Sequence, residues 1–223
     1  MLKLVSIFFF LLFSFKSSSL NIEVSSFSFY GANPYTELYF RVAGNSVNWV
    51  KDKDTKSSSV EVLFFVKHAD GSIAAYDKFE LKSEIKDSII DFIAVKRFRL
   101  KQGEYVIKIE ANETLVPSNK VEMEQRLLVD SPESEFLLSD IMLLGIARKD
   151  SSYNALVKND IYMEPLAYNL SPGDKHKLDF YIESYIKDTS AFNEYFLQYH
   201  IMEGFISNIN TKPLFSKYKK IRR

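Results

Sequence analysis

No cysteine occurs in the 223 residues. That excludes disulfides, thiolate metal sites, a cysteine nucleophile and a cysteine for lipid attachment. A small exported β-domain without disulfides rests on core burial alone, so it needs a nearly complete sandwich. Histidine is almost as scarce, with His68, His176 and His200 making up the total of 3. None has a second histidine or a carboxylate at metal-ligand spacing, which favours structural or surface roles for all of them. The 7 glycines form no phosphate-cradling loop and no Gly-x-Ser-x-Gly elbow, so nucleotide binding and serine hydrolysis lack their defining turns. Trp49 is the single tryptophan.

Aromatics are plentiful, at 15% with 19 Phe and 13 Tyr, and they favour strands over helices. Formal net charge is zero but unevenly spread. Lys212 to Arg223 carries six basic side chains and no acidic one, and Lys3 and Lys16 lie near the start. Setting these eight aside leaves 21 basic against 29 acidic residues between Leu20 and Thr211, a net of −8. Such a body does not suit a nucleic-acid partner.

Residues 1–19 combine Lys3, the apolar run Leu4 to Phe13 and Ser17-Ser18-Ser19. This is the build of a signal peptide, too short to span a bilayer comfortably, and it implies export to the periplasm or cell surface. Membrane contact is then expected only through an uncleaved leader or the basic tail.

A first strand series fills residues 20–130. Asn21 to Phe29 alternates, with Ile22, Val24, Phe27 and Phe29 almost in register; Tyr35 to Val42 follows, and Asn45 to Val50 reads as a third short strand. Val60 to His68 and Ile73 to Leu81 flank Asp70-Gly71, a strong hairpin signal. In Ile89 to Leu100, Phe92, Ala94, Lys96 and Phe98 oppose Ile93, Val95, Arg97 and Arg99. Lys101 to Ala111 places Tyr105, Ile107 and Ile109 on one side, as a closing hairpin strand would, and Lys120 to Val129 completes the series. Seven or eight short strands with short connections predict an immunoglobulin- or fibronectin-like β-sandwich.

Asp130 to Glu135 is polar and contains Pro132, so residues 131–135 are expected to be a linker. A second sandwich is expected over residues 136–211, opening with Phe136 to Ile146 and continuing through Met163 to Tyr168, a turn at Ser171 to Asp174, Leu178 to Lys187, and Tyr195 to Ile201. Beyond Gly204 the pattern decays into a basic tail at 212–223. No counterpart of the Gly103–Tyr105 hairpin follows, so this domain reads as truncated or as completed by a strand-donating partner.

Laid out in this way, Tyr35-Thr36-Glu37-Leu38-Tyr39-Phe40, Val60-Glu61-Val62, Leu100 to Ile109, Ser139-Asp140-Ile141 and Met163-Glu164-Pro165 resemble the N-terminal β-sandwich region of bacterial GWxTD-domain proteins. The resemblance implies sandwich domains and an envelope compartment. The naming motif is absent, since Trp49 follows Asn48, and nothing of that motif region carries over.

Candidate chemistry is thin. Asp52 and Asp54 form an Asp-x-Asp pair in a loop, short of the oxygen ligands a calcium loop needs, and Asp70 belongs to a turn. Asn112-Glu113-Thr114 is a glycosylation sequon, relevant only in a eukaryotic source. Tyr181, Tyr185, Tyr195 and Tyr199 make a possible ligand face for sugar or peptide, weighed against plain core packing. With no catalytic constellation, cofactor site or metal site in view, the expectation is an exported non-enzymatic module, structural or protein-binding, in a bacterial envelope. The alternatives are a carbohydrate- or peptide-binding module using that tyrosine face, or the accessory region of a longer envelope enzyme.

Overall fold

A computed structural model describes residues 19–130, 134–169, 177–186, 194–202 and 213–222. Residues 1–18 of the leader, the turn at Ser171 to Asp174, His176 and residues 203–212 fall outside these residues. Within them the chain is all-β, and 3₁₀ turns at Gly44–Ser46 and Ala167–Asn169 are the only helical geometry described. The first strands are β1 (Ile22–Phe29), β2 (Tyr35–Val42), β3 (Val50–Asp52), β4 (Thr55–His68), β5 (Ile73–Ile85), β6 (Phe92–Phe98), β7 (Gly103–Glu113) and β8 (Lys120–Val129). Then come β9 (Phe136–Leu138), β10 (Met142–Lys149), β11 (Val157–Lys158), β12 (Ile161–Pro165), β13 (Asp179–Tyr181), β14 (Ser184–Ile186), β15 (Glu194–Ile201) and β16 (Phe215–Arg222).

Packing divides the described chain into two compact units. One takes Met1–Ser131 with Ser139–Ile182, and the other Pro132–Leu138 with Glu183–Arg223. This differs from a single division at 131–135, because the strands from β10 to β13 pack with the first series rather than beginning a separate body.

The first unit contains a β-sandwich. Its larger sheet sets β4 between β5 on one edge and β3 and β7 on the other, with β8 beyond β7. Its smaller sheet has the order β1-β2-β6. Between them lies a core that includes Leu38, Phe40, Val42, Val60, Val62, Phe64, Ile107 and Ile109, none more than 1% exposed. Alternation along β7 buries Tyr105, Ile107, Ile109 and Ala111, and each fully buried Ile contributes about 1.5–3 kcal/mol. The Tyr105 hydroxyl donates back to the Lys101 carbonyl at 2.8 Å, which pins the turn that feeds the strand.

The smaller sheet is covered on its other face too. The irregular alternation of β1 explains how: Ile22 and Val24 belong to the sandwich core, whereas Phe27 and Phe29 belong to a second core with Tyr39, Met142, Leu144, Leu156 and Met163. The pairing of β1 with β2 is continuous from Ile22↔Val42 to Phe29↔Tyr35, so the change of phase is a change of face. A four-stranded sheet, β11-β12-β10-β13, supplies that second covering layer.

Three other stretches depart from the sequence reading. Asn45 to Trp49 is a turn before β3 rather than a strand, and only Val50 of that stretch is in β3. Ser46 Oγ donates to the Ala43 carbonyl at 2.7 Å and Trp49 Nε1 to the Gly44 carbonyl at 2.8 Å, so side chains occupy acceptors that a ladder would use. Gly44 is required there, since an added Cβ would stand 2.2 Å from the Ile90 carbonyl oxygen. Phe136 to Ile146 is two strands, broken where Asp140 clips onto β1: its N–H donates to the Ser28 carbonyl at 3.1 Å, and its carboxylate accepts from the Ser28 N–H at 2.7 Å. The run from Leu178 splits into β13, which pairs with β10, and β14, which pairs with β9 in the second unit. The basic tail is a strand as well, with β16 paired to β15 from Glu194↔Arg222 to Ile201↔Phe215.

A proteolytic nick within residues 131–133 should therefore leave the two fragments co-eluting under native conditions, because residues 139–182 pack onto the first series. Separation of an intact 20–130 fragment from the remainder in size-exclusion chromatography would contradict this.

Candidate functional site

The densest chemistry lies between the smaller sandwich sheet and the four-stranded layer. Glu37, on the second face of β2, is wholly buried. Strand register sets it opposite Arg97 of β6, whose Nε donates to Glu37 Oε1 at 2.7 Å. The Tyr39 hydroxyl, two residues along the same face, donates to Oε2 at 2.7 Å. From the covering layer, Lys158 Nζ approaches Oε1 at 3.3 Å. That ammonium also stands 3.3 Å from the centre of the Phe29 ring, with Tyr35 at 5.3 Å and Tyr181 at 5.5 Å, an aromatic cradle that favours a cation. Arg97 extends further and donates to the Ala155 carbonyl at 2.8 Å.

These groups shift one another's ionisation. Burial, followed by the charge and hydrogen bond of Glu37, pushes the Tyr39 phenol far above its ordinary range. Burial opposes the Arg97 charge, yet the hydrogen bond and charge of Glu37 raise its pKa overall. One carboxylate thus serves two cations and a phenol. The arrangement is an electrostatic bolt across two layers, and neither Glu37 oxygen faces solvent.

Polar clips flank the bolt. Arg41 donates to the Pro165 carbonyl at 2.5 Å and lies 3.6 Å from Glu23, which accepts from the Tyr168 N–H at 2.6 Å. Tyr162 donates to Glu164 beneath the Arg148 guanidinium, which sits 3.8 Å from its ring centre. Burial first, and then the hydrogen bond to Glu164, pushes the Tyr162 phenol up to about 12. At the end of the sandwich, buried Glu113 accepts from the Asn48 N–H at 2.6 Å and from Asn119 Nδ2 at 2.6 Å. Asn119 Oδ1 in turn accepts from the Leu20 N–H at 2.6 Å, which ties the segment before β1 to the β7–β8 connection. A cavity of about 280 Å³ opens beside Tyr30, Tyr35, Lys101, Gln102 and Asp130, just below the usual range for small-molecule sites. Burial, with Asp140 and Asp130 nearby, raises the pKa of the Tyr30 phenol.

The four tyrosines singled out in the sequence are divided between the units. Tyr181 belongs to the first, packed against the second core and accepting from Asn159 Nδ2 at 2.8 Å. Tyr185, Tyr195 and Tyr199 belong to the second. Tyr195 meets Ser184 Oγ at 3.0 Å and the Phe136 ring edge-on at 5.3 Å, Tyr185 donates to Glu183, and Tyr199 shares the half-buried face of β15 with Tyr195. His68 is exposed, its ring 5.0 Å from that of Tyr105. His200 Nδ1 lies 2.8 Å from Ser216 Oγ. Asp52 and Asp54 flank Lys53, whose φ of 51° makes the β3–β4 turn, and Asp70 is lowered in pKa by the Ser72 hydroxyl and N–H. Asn112 lies on the outer side of β7, opposite Lys120. Among the described residues no group of three or more His, Cys, Asp or Glu side chains is placed to hold a metal ion.

The Glu37 cluster escaped the sequence reading. Its signal was a lone carboxylate inside the apolar run of β2 and a lone guanidinium inside β6. No protein-family model matches this chain, and no curated protein or solved structure matches it either.

Glu37→Gln should lower unfolding free energy by about 2 kcal/mol or more, since the buried acceptor loses its charge and the largely buried Lys158 loses its counter-charge. Glu61→Gln, which loses only an exposed pair with Lys78, should change it by less than about 1 kcal/mol. Similar urea midpoints for the two variants would remove the bolt from its place in the fold. The phenols add a pH dependence. A raised phenol pKa favours the protonated form in the folded state, so the stability linked to Tyr162 is complete below its ordinary value of about 10 and is lost as pH rises toward about 12. Tyr162→Phe should flatten that alkaline decline in urea midpoints measured across the same pH range; an unchanged slope would show that Tyr162 does not contribute.

Proposed function

We propose that the chain is an exported, non-enzymatic β-sandwich protein that serves as a structural or protein-interaction module of a bacterial cell envelope. The observation that carries the reading is the outer face of the five-stranded sheet. Leu63 and Phe65 of β4, Tyr76 of β5, Val106 of β7 and Leu128 of β8 share that face by register. Phe65 and Tyr76 stack with ring centres 6.4 Å apart, and Tyr76 and Leu128 are 70% and 68% exposed. Lys67, Lys108, Arg126 and Glu110 surround them. An apolar, aromatic centre within a charged rim is the anatomy of a protein interface. The leader-like residues 1–19 and the resemblance to GWxTD-domain proteins support the compartment.

A carbohydrate- or peptide-binding module is the second reading. It rests on Tyr195 and Tyr199, which share one face of β15.

A photocrosslinking residue placed at Tyr76 should give a discrete heavier adduct of the chain in the envelope fraction. Placed at Tyr153, which is exposed but away from this face, it should give none. No adduct from Tyr76 would remove the interaction face, and recovery of the chain only from cytoplasm would remove export.

A further inference from the structure

The second unit ends in a two-stranded antiparallel ribbon of β15 and β16, paired over eight residues of each strand. Among the described residues β16 pairs with β15 alone, and Leu214 to Lys220 are exposed throughout. Side chains of both faces of β16 therefore meet solvent. Their order along the ribbon is not random. One end is apolar: Ile201, Leu214 and Phe215 are 46%, 67% and 50% exposed, and the Leu214 N–H donates to the Ile201 carbonyl at 2.8 Å. Behind that end come Lys217, Lys219 and Lys220, beginning about 7 Å from Phe215 at the usual rise of a strand. Beside the lysines, Phe196 and Tyr218 meet edge to face at 6.5 Å and are 60% and 71% exposed. Lys220 is paired with Glu194 and lies over the Phe196 ring, whereas no acidic residue occurs anywhere from Lys212 to Arg223.

Exposed apolar side chains at one end of the described pairing, an aromatic pair of which Tyr218 has a polar tip, and lysines one or two strand spacings away match the chemical gradient of a bilayer interface. There an apolar face sinks about 5–10 Å to the boundary of headgroups and acyl chains, and long basic side chains reach back to the phosphates. We propose that the β15–β16 ribbon docks on the surface of an anionic lipid bilayer, with Ile201, Leu214 and Phe215 entering the interface and Lys217 and Lys219 meeting the headgroups. The charge argues for an anionic surface: Lys212 to Arg223 carries six basic residues and no acidic one, against a net of −8 for Leu20 to Thr211. An acidic protein groove would be served by the lysines but would give no role to three exposed apolar side chains gathered at one end. The proposal deepens the envelope reading. Vesicle binding is measured on purified chain, so its failure would leave export and the sheet-face interaction standing.

The test is co-sedimentation of the full chain with vesicles of phosphatidylcholine alone and of phosphatidylcholine mixed with phosphatidylglycerol. Neutral vesicles record any contribution of the apolar leader. The anionic vesicles should bind at least about tenfold more tightly, because each lysine near such a surface contributes about fivefold. Molar salt should remove the difference. Lys217→Glu with Lys219→Glu should abolish it, and Lys217→Gln with Lys219→Gln, a milder change at the same exposed positions, should reduce it. Phe215→Ser should weaken the binding that remains in salt, and circular dichroism should show the variants as folded as the parent. Equal binding to both vesicle types, or an anionic preference that survives both lysine pairs, would overturn the proposal and leave the ribbon to an acidic polypeptide.

Discussion

The smaller sandwich sheet of the first unit is buried on both faces, and much else in that unit follows from this constraint. An antiparallel strand usually keeps one side for water, but β2 has core at Leu38, Phe40 and Val42 and a second buried layer at Glu37 and Tyr39. A carboxylate in such a place costs several kcal/mol in lost hydration unless fixed partners replace the water. Arg97, Lys158 and Tyr39 do so, and each comes from a different stretch of chain. The arrangement also makes register consequential. A one-residue slip of β6 against β2 that set Arg97 opposite Leu38 would turn it into the apolar core and leave Glu37 without its closest cation.

The covering layer depends on that sheet in return. Its strands run from two to eight residues, and so small a sheet gains little from its own hydrogen bonds in water. It is held instead by Met142, Leu144, Leu156 and Met163 against Phe27, Phe29 and Tyr39, and by polar clips from Asp140, Arg41 and Tyr168. The backbone shows the accommodation: Asn159, Asp160, Tyr168 and Asn169 all have positive φ, at the turns that bring Lys158 and Tyr168 to their partners. Local strain in these turns is offset by the burial and ion pairing on either side of them.

Where one face of a strand was buried and the other wet, the sequence was sufficient. The β4–β5 hairpin at Asp70-Gly71 and the alternation of β7 both fall where period-2 reading and turn chemistry place them. Double burial defeats the same reasoning, because a strand apolar on both sides has no phase to follow. The change of face between Val24 and Phe27 looked like imperfect alternation, and only the second core explains it. Continuous alternation from Leu178 onward likewise concealed a break, since β13 and β14 end in different units and periodicity carries no information about partners. The tyrosines illustrate the same limit: Tyr181 and Tyr199 read as equivalent, yet one packs against the aromatic cradle of Lys158 and the other lines a ribbon.

The division of polar chemistry between interior and surface bears on what this chain can offer a partner. The buried carboxylates, Glu37 and Glu113, are occupied by donors fixed in the backbone or in neighbouring strands, so they hold geometry rather than present reactive atoms. The exposed chemistry is of another kind. On the five-stranded sheet it is a mixed field, with Lys108 opposite Glu124 and Glu110 opposite Glu122 around stacked aromatics. On β16 it is of one sign. A mixed field discriminates between shapes, because each partner charge meets attraction and repulsion a few ångströms apart. A single-sign strand with an apolar end discriminates poorly between shapes but strongly between surfaces of opposite charge. The chemistry of the sheet therefore suits selection of a particular shape, and that of the ribbon suits an extended anionic surface, which keeps the two proposals separable.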